Sequence, residues 1–239
     1  MMKPRDQALE VWGDFACFTR PEMKVERFSY PVMTPSAARG IYDAIYCKPK
    51  EFRWQITQIE ILSPPEYIAL RRNEMKDKVS ERALLSWMRG DSEPEPILAD
   101  ANKDQTGSDA KGRTQRQTMA LKNVRYRLHA FIMPWPDFQD RIEGLENQFR
   151  RRASQGKCIY QPYFGCREFP AYFELLEILS PPAGISSLNM NLGFMLYDVF
   201  DLSRPGSNND TPYISLFEAK IENGVLNVPE FQSHLVLKP

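Results

Sequence analysis

The sequence predicts an α+β fold: a β-α-β-β-α-β unit followed by a small antiparallel β-sheet. Three observations predict it. Two segments, 34–46 and 137–153, carry apolar residues at helical spacing. Each lies between segments in which apolar and polar residues alternate, the signature of half-buried strands. Beyond residue 182 the apolar runs are short, and Asn223-Gly224 marks a hairpin turn between two of them.

The elements follow in order. Residues 9–18 read as a first strand, with Gly13 a bulge or a point of close approach. Residues 20–33 read as a polar connection. Thr34 is a good helix N-cap, and Pro35 suits the first helical position, where a missing N–H costs nothing. Ala38, Ile41, Ala44 and Ile45 supply an apolar stripe, and Pro49 ends the helix after about Tyr46. Residues 52–62 alternate as a second strand. Residues 63–115 are the least regular: Pro64-Pro65, Arg71-Arg72, a short helix near 80–89 and a Glu/Pro/Asp/Gly-rich loop suggest a long, partly mobile insertion. Val124, Tyr126, Leu128, Ala130 and Ile132 then alternate with Arg125, Arg127, His129 and Phe131, a third strand with one basic face. Phe138, Ile142, Leu145 and Phe149 define the second helix. Residues 172–179 form a fourth strand, stopped by Pro181-Pro182. This order is the ferredoxin-like arrangement. Residues 193–200, 213–221 and 225–228 are the strands of the appended sheet. The expected domains are therefore 1–182, with an insertion at about 63–115, and 183–239.

Bulk properties exclude several classes. With 239 residues, 42% hydrophobic and 12% aromatic, the chain can build a real core and is not disordered. No apolar run reaches membrane-spanning length, and the N-terminal residues lack the apolar segment of a secretory signal. Cys17, Cys47, Cys158 and Cys166 show neither zinc-like nor disulfide spacing, so reduced thiols in a cytoplasmic protein are expected. Lys plus Arg equals Asp plus Glu at 31 each, but the charges are segregated. Residues 111–127 hold six cations and no acid, while residues 89–110 hold six acids against two cations. Such segregation can present a basic surface on a neutral chain.

No metal-binding box, phosphate-cradling glycine loop or nucleophile elbow is present. Metal-free transfer chemistry needs other groups: one to move a proton, cations to stabilise developing negative charge, and a substrate held in line. Tyr46 and Lys48, at a helix end and preset by Pro49, are placed for this. Equally, Tyr46 could cap the core with its ring while Lys48 is solvated. Arg150, Arg151 and Arg152 suit a helix C-terminus through the dipole, or they grip phosphate. Arg71, Arg72, Lys122, Arg125, Arg127, Lys157 and Arg167 could extend such a surface.

Several strings carry a family resemblance. They are residues 11–19 with 22–27, residues 34–49 ending in Tyr46-Cys47-Lys48-Pro49, Arg71-Arg72-Asn73-Glu74, and residues 161–170. In this order they resemble the fifth Cas protein family in its type I-C (Dvulg) form. The resemblance implies an RRM-like, RAMP-type ferredoxin fold and a metal-independent endoribonuclease with no cofactor. Such an enzyme cuts CRISPR repeat RNA to a 2′,3′-cyclic phosphate and a 5′-hydroxyl. It then stays on the guide RNA among the other subunits of the type I-C surveillance complex. Action on double-stranded DNA is a further option implied for the family, and no membrane role is. Tyr46 matches one family catalytic residue. The other two are normally an adjacent Lys-His pair early in the second helix. Aligned on Phe149, that pair falls on Gly144-Leu145, which can neither transfer a proton nor stabilise charge. Lys48, His129 and Lys157 are the candidates in this chain for the missing chemistry. The alternative is a non-catalytic guide-RNA-binding subunit.

Overall fold

Strand β1 (Gln7–Ala16) is the pivot of the architecture, because both of its edges are paired. On one side it runs antiparallel to β5 (Arg113–Pro134), with Val11 opposite Tyr126. On the other it runs antiparallel to β6 (Tyr172–Leu176), with Val11 opposite Phe173. The computed structural model describes residues 4–23, 25–99, 107, 111–176, 184–207 and 209–239. Among these residues, β3 (Phe52–Ile61) is antiparallel to the far edge of β5, giving the order β3-β5-β1-β6. Helix α1 (Pro35–Ile45) connects β1 to β3, and helix α3 (Ile142–Ala153) connects β5 to β6. The C-terminal strands β7 (Met190–Asp198), β8 (Ser215–Glu222), β9 (Val225–Asn227) and β10 (Val236–Leu237) are antiparallel, as expected. They continue the first sheet, because β9 pairs with β3. The expected end of the fourth strand and the domain boundary at 182/183 lie outside the described residues.

Local chemistry explains the helices. Thr34 Oγ1 accepts from the Ala37 backbone N–H at 3.2 Å, and Pro35 occupies the first turn of α1. The second helix is shorter than its sequence suggests. Residues Pro136–Arg141 form a 3-10 turn, and the α-helix begins only at Ile142. Pro136 and the absence of a side-chain cap at either start account for the tighter first turn.

The core lies between the helices and the sheet. Tyr42 of α1, Trp54 of β3 and Phe149 of α3 are fully buried, with ring centroids 4.6–5.7 Å apart. Burial of each such side chain is worth about 1.5–3 kcal/mol. The Tyr42 hydroxyl donates to the Gln7 carbonyl at 2.7 Å, which satisfies a polar atom that burial would otherwise penalise. Gly13 is a point of close approach: a Cβ there would lie 2.7 Å from the Pro170 carbonyl oxygen and 2.8 Å from the Phe164 ring. Asn223 and Gly224, both with φ positive, make the β8–β9 hairpin turn.

Three segments depart from the sequence reading. Residues 20–33 are not simply polar linker: β2 (Arg27–Phe28) pairs with β5, and Tyr30, Val32 and Met33 are buried. Strand β5 starts at Arg113, eleven residues earlier than its apolar alternation indicates. Strand β4 (Tyr67–Met75), read as irregular, pairs with it. Both additions mix polar and apolar residues on each face, so periodicity does not reveal them.

The chain forms one compact unit of Met1–Ile68 with Met119–Pro239 and a second of Ala69–Thr118. The second unit contains most of β4, the first residues of β5 and helix α2 (Glu81–Arg89). Ser80 caps α2 through the Ala83 N–H at 3.1 Å, and Arg116 pairs with Glu74 at 3.3 Å. No described helix is long and apolar enough to cross a membrane.

Candidate active site and RNA-contact residues

The end of α1, the start of β3 and the start of α3 enclose a surface cleft of about 820 Å³. Its lining includes Tyr46, Lys48, Glu51, Arg141, Gly144 and Leu145. Tyr46 is held from three directions. Its N–H bonds the Tyr42 carbonyl at 2.9 Å, and its carbonyl accepts from Trp54 Nε1 at 2.9 Å. Its ring packs at a tilt against Phe52, with centroids 5.3 Å apart. Lys48 Nζ lies 2.9 Å from Glu51 Oε1, and Arg141 Nη1 lies 3.7 Å from Glu51 Oε2. Glu51 Oε2 is buried and accepts no hydrogen bond.

The electrostatics assign capacities to these groups. Burial pushes the Tyr46 hydroxyl above its ordinary pKa, against the opposing pull of Lys48 and Arg152. It therefore stays a protonated donor at neutral pH. Hydrogen bonding to Glu51 holds Lys48 above its ordinary range, so it remains a cation. The cleft thus offers a phenol donor, two cations and three carboxylates, Glu51, Asp140 and Glu143, among them the kinds of group a metal-free phosphoryl transfer needs.

At the two aligned positions the structure separates space from chemistry. An added Cβ at Gly144 would meet no atom within 4 Å, so this position opens onto the cleft. Leu145 is 4% exposed and packs in the core stripe with Ile142 and Phe149. Both aligned positions line the same cleft as Tyr46, and neither carries a titratable side chain.

The other expected site residues are dispersed. His129 does not line the cleft. Its Nδ1 lies 2.8 Å from Asp6 Oδ2 and its Nε2 3.2 Å from Glu60 Oε1, so both ring nitrogens are engaged. The expected basic face of β5 is paired with acids. Arg125 binds Glu10, Arg127 Nη1 lies 3.0 Å from Glu60 Oε2, and Lys122 Nζ lies 2.7 Å from Glu66 Oε1. Neighbouring strands supply Glu10 and Glu60, so the basic alternation of β5 does not make a free cationic stripe.

The arginines ending α3 divide by role. Arg152 Nε donates to the Ile45 carbonyl at 2.7 Å and so caps α1 beside Tyr46. Arg150 Nη1 bonds Gln7 Oε1 at 3.3 Å, and Arg151, exposed, bonds Gln148 Oε1 at 2.6 Å. Lys157 and Arg167 are exposed. Arg71, exposed, and Arg72, half-buried, belong to the second unit. The sequence reading missed Glu51 and Arg141. Glu51 stands three residues after Lys48, a spacing at which a turn can pair them; nothing local marks Arg141.

Comparison with known proteins bears on this arrangement. The family model described as "CRISPR-associated protein (Cas_Cas5)", of the Cas5d group, matches residues 8–229. The chain is 39% identical over 236 residues to the CRISPR pre-crRNA endoribonuclease Cas5d of Mannheimia succiniciproducens, covering 95% of this chain and 96% of that one. It is 37% identical to the protein of the same name from Thermus thermophilus, covering 92% and 90%. Among solved structures, one described as a CRISPR-associated protein superposes with a TM-score of 0.64 at 19% identity, covering 99% and 98% of the two chains.

Proposed function

The chain belongs to the Cas5d family of CRISPR-associated proteins, and we propose that it is itself a pre-crRNA endoribonuclease whose chemistry sits in the Tyr46 cleft. The observation that carries this reading is the convergence of Tyr46, Lys48, Glu51 and Arg141 with the opening above Gly144. The reaction proceeds without metal. The 2′-oxygen attacks the adjacent phosphorus in line as the bond from phosphorus to the 5′-oxygen breaks. The 2′-hydroxyl proton passes to the Glu51 carboxylate, which forms part of the cleft wall. Lys48 and Arg141 balance charge on the phosphorane. The Tyr46 hydroxyl, kept protonated by burial, donates to the departing 5′-oxygen. The products are a 2′,3′-cyclic phosphate and a 5′-hydroxyl.

We further infer that the β-α-β-β-α-β part is ferredoxin-like, with residues 183–239 as an added antiparallel portion and the chain working in the cytoplasm. Support comes from the strand order β3-β5-β1-β6 and the two connecting helices. The partners are repeat RNA, then guide RNA with the other type I-C subunits. Gly144 and Leu145 favour a second reading, in which the protein holds RNA and cuts slowly or not at all. Incubating the protein with its own repeat RNA in EDTA, and analysing binding and product termini together, decides between the two. Cyclic phosphate termini support the enzyme; tight binding with intact RNA supports the holder.

A further inference from the structure

A second cavity, of about 700 Å³, lies on the opposite side of the segment that leaves α1. Tyr46 and Lys48 line the cleft described above, whereas Cys47 and Pro49 line this cavity. Alternate residues of one extended stretch therefore form a shared wall, fixed by the Trp135 indole N–H on the Pro49 carbonyl at 2.9 Å. The volume falls within the range of ligand pockets.

Arg53, which lines it, is unusual. It is 7% exposed, yet among the described residues it has no carboxylate partner. Its Nη1 reaches Gln55 Oε1 at 2.8 Å, its Nη2 reaches the Met133 sulfur at 2.9 Å, and its Nε has no hydrogen bond. A buried, unpaired guanidinium is costly unless an anion completes it. Glu230 acts on Arg53 only through space, without an ion pair, and the other acids beside it are committed elsewhere. Asp198 Oδ2 accepts from Arg39 Nε at 2.7 Å, and its Oδ1 accepts from Arg39 Nη2, the Val199 N–H and the Phe200 N–H at 2.8–3.1 Å. Asp43 pairs with the same Arg39. Arg39 is thus saturated and Arg53 is left over.

The mouth adds a second chemistry. Tyr160 is 47% exposed and Phe200 54%, and the Tyr160 and Tyr163 rings lie 6.5 Å apart at 36°. Exposed rings at the mouth of a cavity with an unpaired cation inside match an unpaired nucleotide, which offers a π-face and a phosphate together. A carboxylate from a protein would satisfy Arg53 but would leave the rings unused.

We propose that this cavity holds one unpaired nucleotide of the bound RNA, its phosphate on Arg53 and its base stacked at the Tyr160–Phe200 mouth. The shared wall places it close in sequence to the nucleotides at the Tyr46 cleft. This inference rests on the RNA-processing role above.

The test uses the full chain and its repeat RNA carrying 4-thiouridine at one unpaired position at a time. Photo-crosslinking should join one such position to Tyr160 or Phe200. Tyr160→Ala and Phe200→Ala alter exposed side chains, and each should weaken RNA binding about 5- to 100-fold with an unchanged melting temperature. Arg53→Met, checked for folding by the same melt, should lower the slope of log affinity against log salt by about 0.7, one single-strand phosphate contact. If wild-type protein binds and cuts the RNA while these variants match it in affinity and slope, and crosslinks map elsewhere, the cavity proposal is wrong and the enzyme reading stands. If wild-type protein binds no repeat RNA, both fall.

Discussion

Trp54 Nε1 donates a 2.9 Å hydrogen bond to the backbone carbonyl of Tyr46. That bond ties the exit of α1 to the middle of the core, because the same indole packs on Tyr42 at 4.8 Å and on Phe149 at 4.6 Å. The residue that carries the cleft's donor hydroxyl is thus positioned by the three elements whose packing defines the fold.

Trp54→Phe should keep much of the packing and leave the buried Tyr46 carbonyl without its donor. A loss of about 1–3 kcal/mol is expected, measured by urea denaturation. Cleavage should fall further than RNA affinity, since the change acts on the orientation of Tyr46. An unchanged midpoint and rate would show that the bond positions nothing.

Arg151→Ala and Arg152→Ala should behave differently, although the residues are neighbours. Arg151 is exposed, so its loss should weaken RNA binding and flatten the salt dependence without changing stability. Arg152 caps the Ile45 carbonyl, so its loss should also lower the melting temperature. Thermal melts and binding titrations at two salt concentrations separate the two effects. The double variant should show both, and unchanged RNA affinity in it would remove the arginines from the interface.

Much of this arrangement is legible in the sequence. Thr34-Pro35 announces the start of α1, and Phe149 aligns the second helix well enough to place Gly144 and Leu145 beside Tyr46. Gly13 signals the close approach that Phe164 and Pro170 make. The rest depends on non-local partners. Arg125 and Arg127 look like free cations until strand pairing brings Glu10 and Glu60 beside them. Arg53 looks like an outward-facing residue of an alternating strand, but Tyr197 and Pro229 pack on its face, where they bond its partner Gln55. Strand β4 stays hidden because its half-buried face mixes Ile68 and Leu70 with Arg72 and Glu74.

The His129 network predicts a pH dependence. Burial opposes the imidazolium, but Asp6 and Glu60 outweigh it and raise the pKa above the ordinary 6.5. A raised folded-state value means the contribution to stability is complete below about pH 6.5 and is lost as pH rises through the folded value. The stability gap between wild type and His129→Gln should therefore shrink from mildly acid to mildly alkaline pH in urea titrations. RNA cleavage should survive the substitution, because both ring nitrogens serve carboxylates. A gap that widens with pH would contradict the assignment.

Gly144→Lys with Leu145→His should raise the cleavage rate. Gly144 has open space for a side chain, and replacing glycine within a helix adds about 0.5–1 kcal/mol of stability. Leu145 is buried, so its replacement costs up to the roughly 2–5 kcal/mol of a core truncation. Single-turnover rates below the melting temperature measure the gain. A folded double variant no faster than wild type would show that these positions do not face the scissile bond.

The measurement that bears most directly on the central claim is single-turnover cleavage of the repeat RNA in EDTA by wild type, Tyr46→Phe and Glu51→Gln. Tyr46→Phe removes one hydroxyl and keeps the ring on Phe52. Wild type should yield a 2′,3′-cyclic phosphate. Each variant should cut about 10²–10⁴-fold more slowly with RNA affinity retained. Wild-type rates from both variants, or cleavage that disappears in EDTA, would contradict a metal-free site built on this cleft.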